Sequence, residues 1–240
     1  MDTSALKTGA IILARVASAR LPGKVLCKLA DKPLLDHVID RAGKIHSANE
    51  VVVATSTEPS DDPVVDHCRR RQVAVFRGSH DNVSARILEC AQVNHFDYFA
   101  RLNGDSPLLN ADLIDEGLRL AIANQYDFVT NLCPRRYPYG ISVEVFRTTT
   151  FQSGYERMTG ADEFEHVSRY FYAHRQEFRY TNLPFEGNDS SHIRLAIDSR
   201  EDLERIENLM SHFGDQVEQI SISEIIRFCE QNWPVQDEAG

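Results

Sequence analysis

The run Ala10-Ile11-Ile12-Leu13-Ala14 is apolar at every position. A strand with one wet face alternates, so an unbroken apolar strand has helices over both faces, the setting of a parallel sheet. Directly behind it comes Arg15-Val16-Ala17-Ser18-Ala19-Arg20-Leu21-Pro22-Gly23-Lys24, with three cations and no acid. Ligands of parallel sheets collect where strands end, so the first strand hands a basic loop to the expected binding edge. In a chain of net charge −10, such a patch suits a small polyanion such as a nucleotide triphosphate, although a solvated surface loop has the same composition. The loop contains neither G-x-x-x-x-G-K-[ST] nor G-x-G-x-x-G, and Gly23 is its only glycine. Side chains, rather than bare backbone, must therefore meet the phosphates.

The next stretches alternate in period. Helical spacing after Pro33 places Leu35, Val38, Ile39, Ala42 and Ile45 on one side, and Val51-Val52-Val53-Ala54 follows as a second strand. Asp61 or Asp62 is positioned to cap a helix through residue 71, residues 73–76 form a third strand, and residues 82–93 a helix. A strand at 98–102 and a helix at 111–124 continue the alternation. It predicts βαβ units with right-handed crossovers, hence an α/β fold with a doubly wound, mostly parallel Rossmann-like sheet. Beyond it, a strand is expected at 127–131 and a half-exposed strand at 141–146, with 179–183 able to pair with the latter. Helices are expected near 149–158 and 162–174. Residues 192–198 should return to the sheet, followed by helices at 199–213 and 223–232, and residues 237–240 should fray. One domain spanning 1–240 is the expectation at this length, with 134–184 an elaboration on the sheet because about 50 residues bury a poor core alone.

The acidic balance argues against general nucleic-acid binding, which needs an extended positive face. No apolar run reaches the ~18 residues of a membrane-spanning helix, and residues 1–8 lack a signal-peptide core, so a cytoplasmic protein is expected. The five cysteines are scattered and form no C-x-x-C pair, which supports neither a disulfide framework nor a structural zinc site.

Two aspartates stand at strand ends. Asp105 sits in Gly104-Asp105-Ser106-Pro107, and Asp198 precedes Ser199-Arg200-Glu201-Asp202. A carboxylate beside a phosphate-binding loop suits Mg²⁺, which takes one or two carboxylates plus phosphate oxygens. An Asx-turn or a helix cap accounts for either aspartate as well.

The pattern R-x-x-S-x-R-L-P-G-K-x-L, present from Arg15 to Leu26, resembles the opening motif of the cytidylyltransferases that activate acidic sugars, most of all the branch of the spore-coat polysaccharide biosynthesis proteins. Gly104 to Leu108 and Asp198 to Leu203 are similar to that family's G-D-x-P-L and D-x-x-x-D-L segments. The resemblance implies a nucleotide-diphospho-sugar transferase fold and transfer of CMP from CTP to an octulosonic or nonulosonic acid, with release of pyrophosphate. It also implies Mg²⁺ held by Asp105 and Asp198, with Arg15, Lys24 and Asp105 catalytic and Ala14 and Ser18 beside the triphosphate. The block Arg77-Gly78-Ser79 with Asp81 and Arg86 resembles R-G-S-x-x-D-V-L-x-R, implying contacts to base and ribose with Thr55 as a weaker neighbour; here Asn82 is an added residue and Ser84 replaces leucine. Read without the family, the same block is a helix start capped by Asp81 with Arg86 exposed.

Tyr137 to Phe146 and Glu165-His166-Val167 resemble Y-P-x-G-x-x-x-E-V-F and E-H-V. They imply an acceptor site drawing on Arg135, Arg136, Tyr139, Glu144, Glu165 and His166, an arginine suiting the sugar carboxylate, though His166 also fits a satisfied histidine beside Phe164, Val167 and Phe171. A homodimer is expected, as in related enzymes. Three other readings compete. A glycosyltransferase would want a D-x-D motif, which is absent; other sugar nucleotidylyltransferases usually carry a Gly-rich loop where Ala14 to Ala19 stand; and a non-catalytic nucleotide-binding subunit would have no need of Arg15, Lys24, Asp105 and Asp198 together.

Overall fold

The computed structural model describes residues 6–18 and 20–233. The expected fraying at 237–240, and most of the 1–8 segment, lie outside these residues. In chain order the chain forms β1 (Thr8–Leu13), a short hairpin of β2 (Lys28–Leu29) and β3 (Lys32–Pro33), α1 (Leu34–Ala42), β4 (Glu50–Ser56), α2 (Asp62–Arg70), β5 (Ala74–Gly78), α3 (Val83–Val93), β6 (Tyr98–Asn103) and α4 (Ala111–Asn124). Then follow β7 (Phe128–Thr130), β8 (Glu144–Arg147), α5 (Thr148–Tyr155), α6 (Ala161–Glu165), α7 (Arg169–Ala173), β9 (Tyr180–Asn182), α8 (Arg200–Phe213) and α9 (Ile222–Asn232). Seven strands make the central sheet in the order β5-β4-β1-β6-β8-β7-β9.

β1 lies in the middle, parallel to β4 on one side and β6 on the other, and its side chains are buried on both faces as its composition predicts. Ala10 and Ile12 join a cluster with Leu35 and Val38 of α1, Val64 of α2 and Leu118 of α4. Ile11 joins the opposite cluster with Ile87 of α3, Phe151 of α5 and Phe171 of α7. Five phenylalanines, Phe99, Phe128, Phe146, Phe151 and Phe171, are fully buried in that second layer; removing any one of the rings costs roughly 3–5 kcal/mol in such a setting. α8 and α9 pack with the hairpin in a third cluster. No helix among the described residues is long and apolar enough to cross a membrane.

Four expectations need correction. Residues 141–146 are not half-exposed: only Glu144–Arg147 is strand, and it is buried and wedged antiparallel between β6 and β7. The alternation misled because the polar member, Glu144, is buried against internal partners. The 179–183 stretch pairs not with β8 but in parallel with β7. Residues 192–198 do not rejoin the sheet; they run beside 139–140, with a single bridge between Tyr139 and Arg194. The expected 162–174 helix is interrupted at His166–Ser168, leaving α6 and α7. Elsewhere Ser199 with Asp202 forms a reciprocal capping box on α8, whereas α3 is capped by Asn82, which accepts from Ala85 N, and not by Asp81 as expected.

Candidate active site

The basic loop leaves β1 at the carboxyl ends of the parallel strands. Gly23, at φ 74°, turns the chain left-handed, its N–H donating to Val16 O at 2.9 Å. The backbone then coils into a single 3-10 turn from Lys24 to Leu26. This turns Lys24 inward. Its ammonium lies 2.8 Å from Asp105 Oδ2, 2.8 Å from Asp198 Oδ1 and 2.9 Å from Ile197 O.

Each aspartate is delivered by its own local device. Gly104 packs so tightly on the end of β1 that a Cβ there would meet Leu13 O at 2.9 Å and Ala14 Cβ at 3.0 Å; no other residue lets Asp105 come this close to the loop. Asp105 O in turn accepts from Ile197 N at 2.9 Å, which ties the 192–198 segment alongside. Ser199, not Asp198, caps α8. That leaves the Asp198 carboxylate free for cations: Lys24 on one oxygen, and Arg20 at 3.1 Å together with Arg194 on the other. Burial would lower the Lys24 pKa, but the two carboxylates outweigh it and hold the ammonium above its ordinary range. Burial likewise opposes ionisation of Asp198, and Lys24, Arg194 and Arg20 reverse the balance to hold its pKa down.

Two cavities meet at this point. The first, about 380 Å³, is lined by Ala14, Arg15, Ser18, Lys24, Arg86 and Glu165 among others; the second, about 520 Å³, by Arg135, Tyr139, Ser142, Glu144 and Tyr172 among others. Arg101, Asn103, Asp105 and His166 line both, so Asp105 stands at the seam. In the first cavity Arg15 reaches across to Glu165 at 3.3 Å. Arg86 is buried, not exposed as the helix-start reading had it; it donates to Ser79 O at 2.8 Å while its Nε lacks a partner, and burial, helped by Arg15, pushes its pKa down to about 10. An anion between Arg15 and Arg86 would relieve both.

In the second cavity Arg135 has no carboxylate partner among the described residues. Its guanidinium lies 4.9 Å from the Tyr139 ring centre and 3.4–3.5 Å from Ser142 Oγ, and burial lowers its pKa against the pull of Glu144. Glu144 is 2% exposed and fully engaged, by Arg101 on one oxygen and by the Tyr172 hydroxyl at 2.7 Å on the other. His166 is exposed beside Asp162, at the cavity wall instead of in an apolar stripe.

The structure keeps five of the expected residues away from these walls. Arg77 is tied to Ser56 O and Glu58 O and paired with Asp62. Ser79 Oγ accepts from Asn82 N, Asp81 is 99% exposed, and Thr55 is buried at the end of β4. Arg136 bonds Gly187 O on the exterior. The extra residue at Asn82 explains the shift in the 77–86 block, since Asn82 takes over the cap and leaves Asp81 outside. Conversely, Arg101, Asn103, Arg194 and Asp61 were not anticipated. A visible signal existed for Arg101, a charge in an otherwise apolar strand. Asp61, fully buried, stands at the N-cap position of α2 as expected, but its side chain makes no capping bond; it accepts from Val16 N at 2.6 Å and Ser56 N at 3.2 Å, clamping the basic loop to β4.

No group of three or more His, Cys, Asp and Glu that could hold a metal gathers among the described residues. A divalent ion here would thus be one that takes two carboxylates and completes its shell with ligand and water oxygens, the habit of Mg²⁺. Asp105 and Asp198, already converging on one cation, fit that description.

The chain matches the family described as Cytidylyltransferase across residues 9–232. It is 29% identical over 233 residues to spore coat polysaccharide biosynthesis protein SpsF of Bacillus subtilis, covering 92% of this chain and 93% of that protein. It is 34% identical over 119 residues to 3-deoxy-manno-octulosonate cytidylyltransferase of Geobacter metallireducens, a match limited to 50% of this chain and 46% of the relative. The solved structure of a cytidylyltransferase from Leptospira borgpetersenii has TM-score 0.90 at 29% identity, covering 98% of this chain and 99% of that one.

Proposed function

This chain belongs to the cytidylyltransferase family, and from that premise we propose that it transfers CMP from CTP to a hydroxyl of an acidic sugar of octulosonic or nonulosonic type, for surface polysaccharide synthesis. The observation that carries this reading is the junction of two cavities on Asp105, one lined by the cations Arg15, Lys24 and Arg86, the other by Arg135, whose guanidinium has no carboxylate partner among the described residues. An acid sugar presents one carboxylate, and Arg135 answers it with a planar fork of donors.

In the transfer, the acceptor oxygen bonds to the α-phosphorus as the α–β bridging bond breaks. The bridging electron pair leaves on pyrophosphate and the hydroxyl proton passes to water. Arg15 and Lys24 neutralise the triphosphate, with Ser18 donating to it, and the loop holds it in line with the acceptor. Mg²⁺, held by Asp105 and Asp198, would supply further charge neutralisation on the phosphate oxygens. With an ion between the two acids, Lys24 would be free to neutralise the phosphates. The same reading places a homodimer contact on the exposed face of residues 134–184, checked by solution mass. A nucleotide-by-sugar panel tests the function: pyrophosphate should appear with CTP, Mg²⁺ and an acidic sugar together, and turnover with UTP and neutral sugar phosphates but none with CTP would reject it.

A further inference from the structure

Arg101 projects from β6 into the seam, where it lines both cavities. The antiparallel register that sets Phe99 opposite Phe146 and Ala100 opposite Val145, continued by one residue, sets Arg101 opposite Glu144 on β8. Their side chains are in direct contact through Arg101 Nη1 and Glu144 Oε2. Glu144's other oxygen accepts from the Tyr172 hydroxyl at 2.7 Å, and that hydroxyl is 3.0 Å from Thr130 Oγ1. The guanidinium is thereby fixed from behind, while its Nε is buried with no hydrogen-bond partner.

A buried ion pair is a weak stability device, since apolar residues of similar size pack there as well or better. An unpaired buried donor adds further cost. Both costs are incurred at the place where a phosphorus would pass between the cavities, beside Asp105. Burial opposes the charge on each partner, yet mutual attraction keeps the Arg101 pKa up and the Glu144 pKa down, so the pair remains ionised.

We infer that Arg101 is a further catalytic residue, a fixed guanidinium that meets the α-phosphoryl oxygens during transfer, and that Glu144 and Tyr172 are positioning residues that hold it in line. The inference rests on the cytidylyl-transfer reading. In the transfer step Arg101 neither gains nor loses a proton; it offsets charge spread over the equatorial oxygens, a contact stronger in the transition state than in bound CTP. Glu144 accordingly acts on the reaction through Arg101 and does not touch the sugar.

The test compares wild type, Arg101→Gln, Arg101→Lys, Glu144→Gln, Tyr172→Phe and the Arg101→Gln/Glu144→Gln double variant, with kcat, both KM values and thermal unfolding measured for each. Arg101→Gln should lower kcat about 100-fold with both KM values within about threefold. Glu144→Gln should lower kcat less, and the double variant should be no slower than Arg101→Gln alone, because one residue works through the other. If Arg101→Gln fails to fold, Arg101→Lys carries the test with an expected loss of about tenfold in kcat. An unchanged kcat, a rise confined to the acceptor KM, or losses that multiply in the double variant would overturn the assignment. A wild type inert with CTP and every acidic sugar would overturn the cytidylyl-transfer reading and this inference with it, whereas an active wild type indifferent to Arg101 overturns this inference alone.

Discussion

Asp105 and Asp198, from turns far apart in the chain, are bridged by a single cation: each has an oxygen 2.8 Å from Lys24 Nζ. Gly104 sets the first acid against the end of β1, and the capping of α8 by Ser199 leaves the second one available. The ammonium balances two carboxylates that would otherwise repel, at the point where the two cavities join.

Lys24→Met removes that balance. The variant should unfold earlier by about 1–3 kcal/mol, less than for a fully buried pair because both acids keep some access to water. Catalysis should fall at least ~100-fold through loss of triphosphate neutralisation. Calorimetric titration with Mg²⁺ or Mn²⁺, without nucleotide, should show tighter binding than wild type, since the internal competitor is gone.

Arg135→Ala should act on the acceptor alone. The KM for the acidic sugar should rise about 10- to 100-fold, the worth of a charge-assisted contact, with the KM for CTP unchanged; Arg135→Lys should recover only part of it. Steady-state kinetics with each substrate varied in turn checks this.

Asp61 makes the basic loop sensitive to acid. Burial would raise its pKa, but hydrogen bonds from Ser56 and Val16 outweigh that and hold it below the ordinary 3.8. A depressed folded value means stability present above 3.8 and lost as pH falls through the folded value, because the unfolded chain takes up the proton first. Asp61→Asn should therefore be less stable at neutral pH by about 1–3 kcal/mol and show a flatter decline in denaturant-melt stability below pH 4. It should also bind CTP more weakly, since Val16 N loses its anchor.

Gly104→Ala tests close approach. The added methyl meets backbone at 2.9 Å, so the β1 end and the Asp105 turn must part by a few tenths of an ångström. Activity should fall about tenfold or more while the melting temperature drops by only a few degrees, measured on the same preparation.

Much of the fold was readable in the sequence because its signals are local. The unbroken apolar run at Ala10–Ala14 announced a strand covered on both faces, and Asn82 and Ser199 marked the starts of α3 and α8. The meeting of the basic loop with two distant acids was readable at Lys24, Asp105 and Asp198, although Asp198 ends an irregular segment and not the strand expected there. What escaped depends on partners distant in the chain. Glu144 looked like the wet position of an alternating strand until Arg101 and Tyr172 buried it, and β9 chose β7 because Asp127 accepts from Arg179 N at 2.8 Å and fixes that register. Asp61 looked like a cap because capping residues and loop clamps share a composition. Arg136 stood beside Arg135 in sequence, yet Arg136 bonds Gly187 O on the exterior and only Arg135 lines the cavity.

The most direct test is pyrophosphate release by purified protein supplied with CTP, Mg²⁺ and a panel of eight- and nine-carbon acidic sugars, alongside Asp105→Ala. The account predicts release by wild type with CTP and at least one acid, coupled one-to-one to formation of the CMP-sugar, and none by a folded Asp105→Ala. Equal release by Asp105→Ala, or turnover confined to another nucleotide with a neutral sugar phosphate, would contradict it.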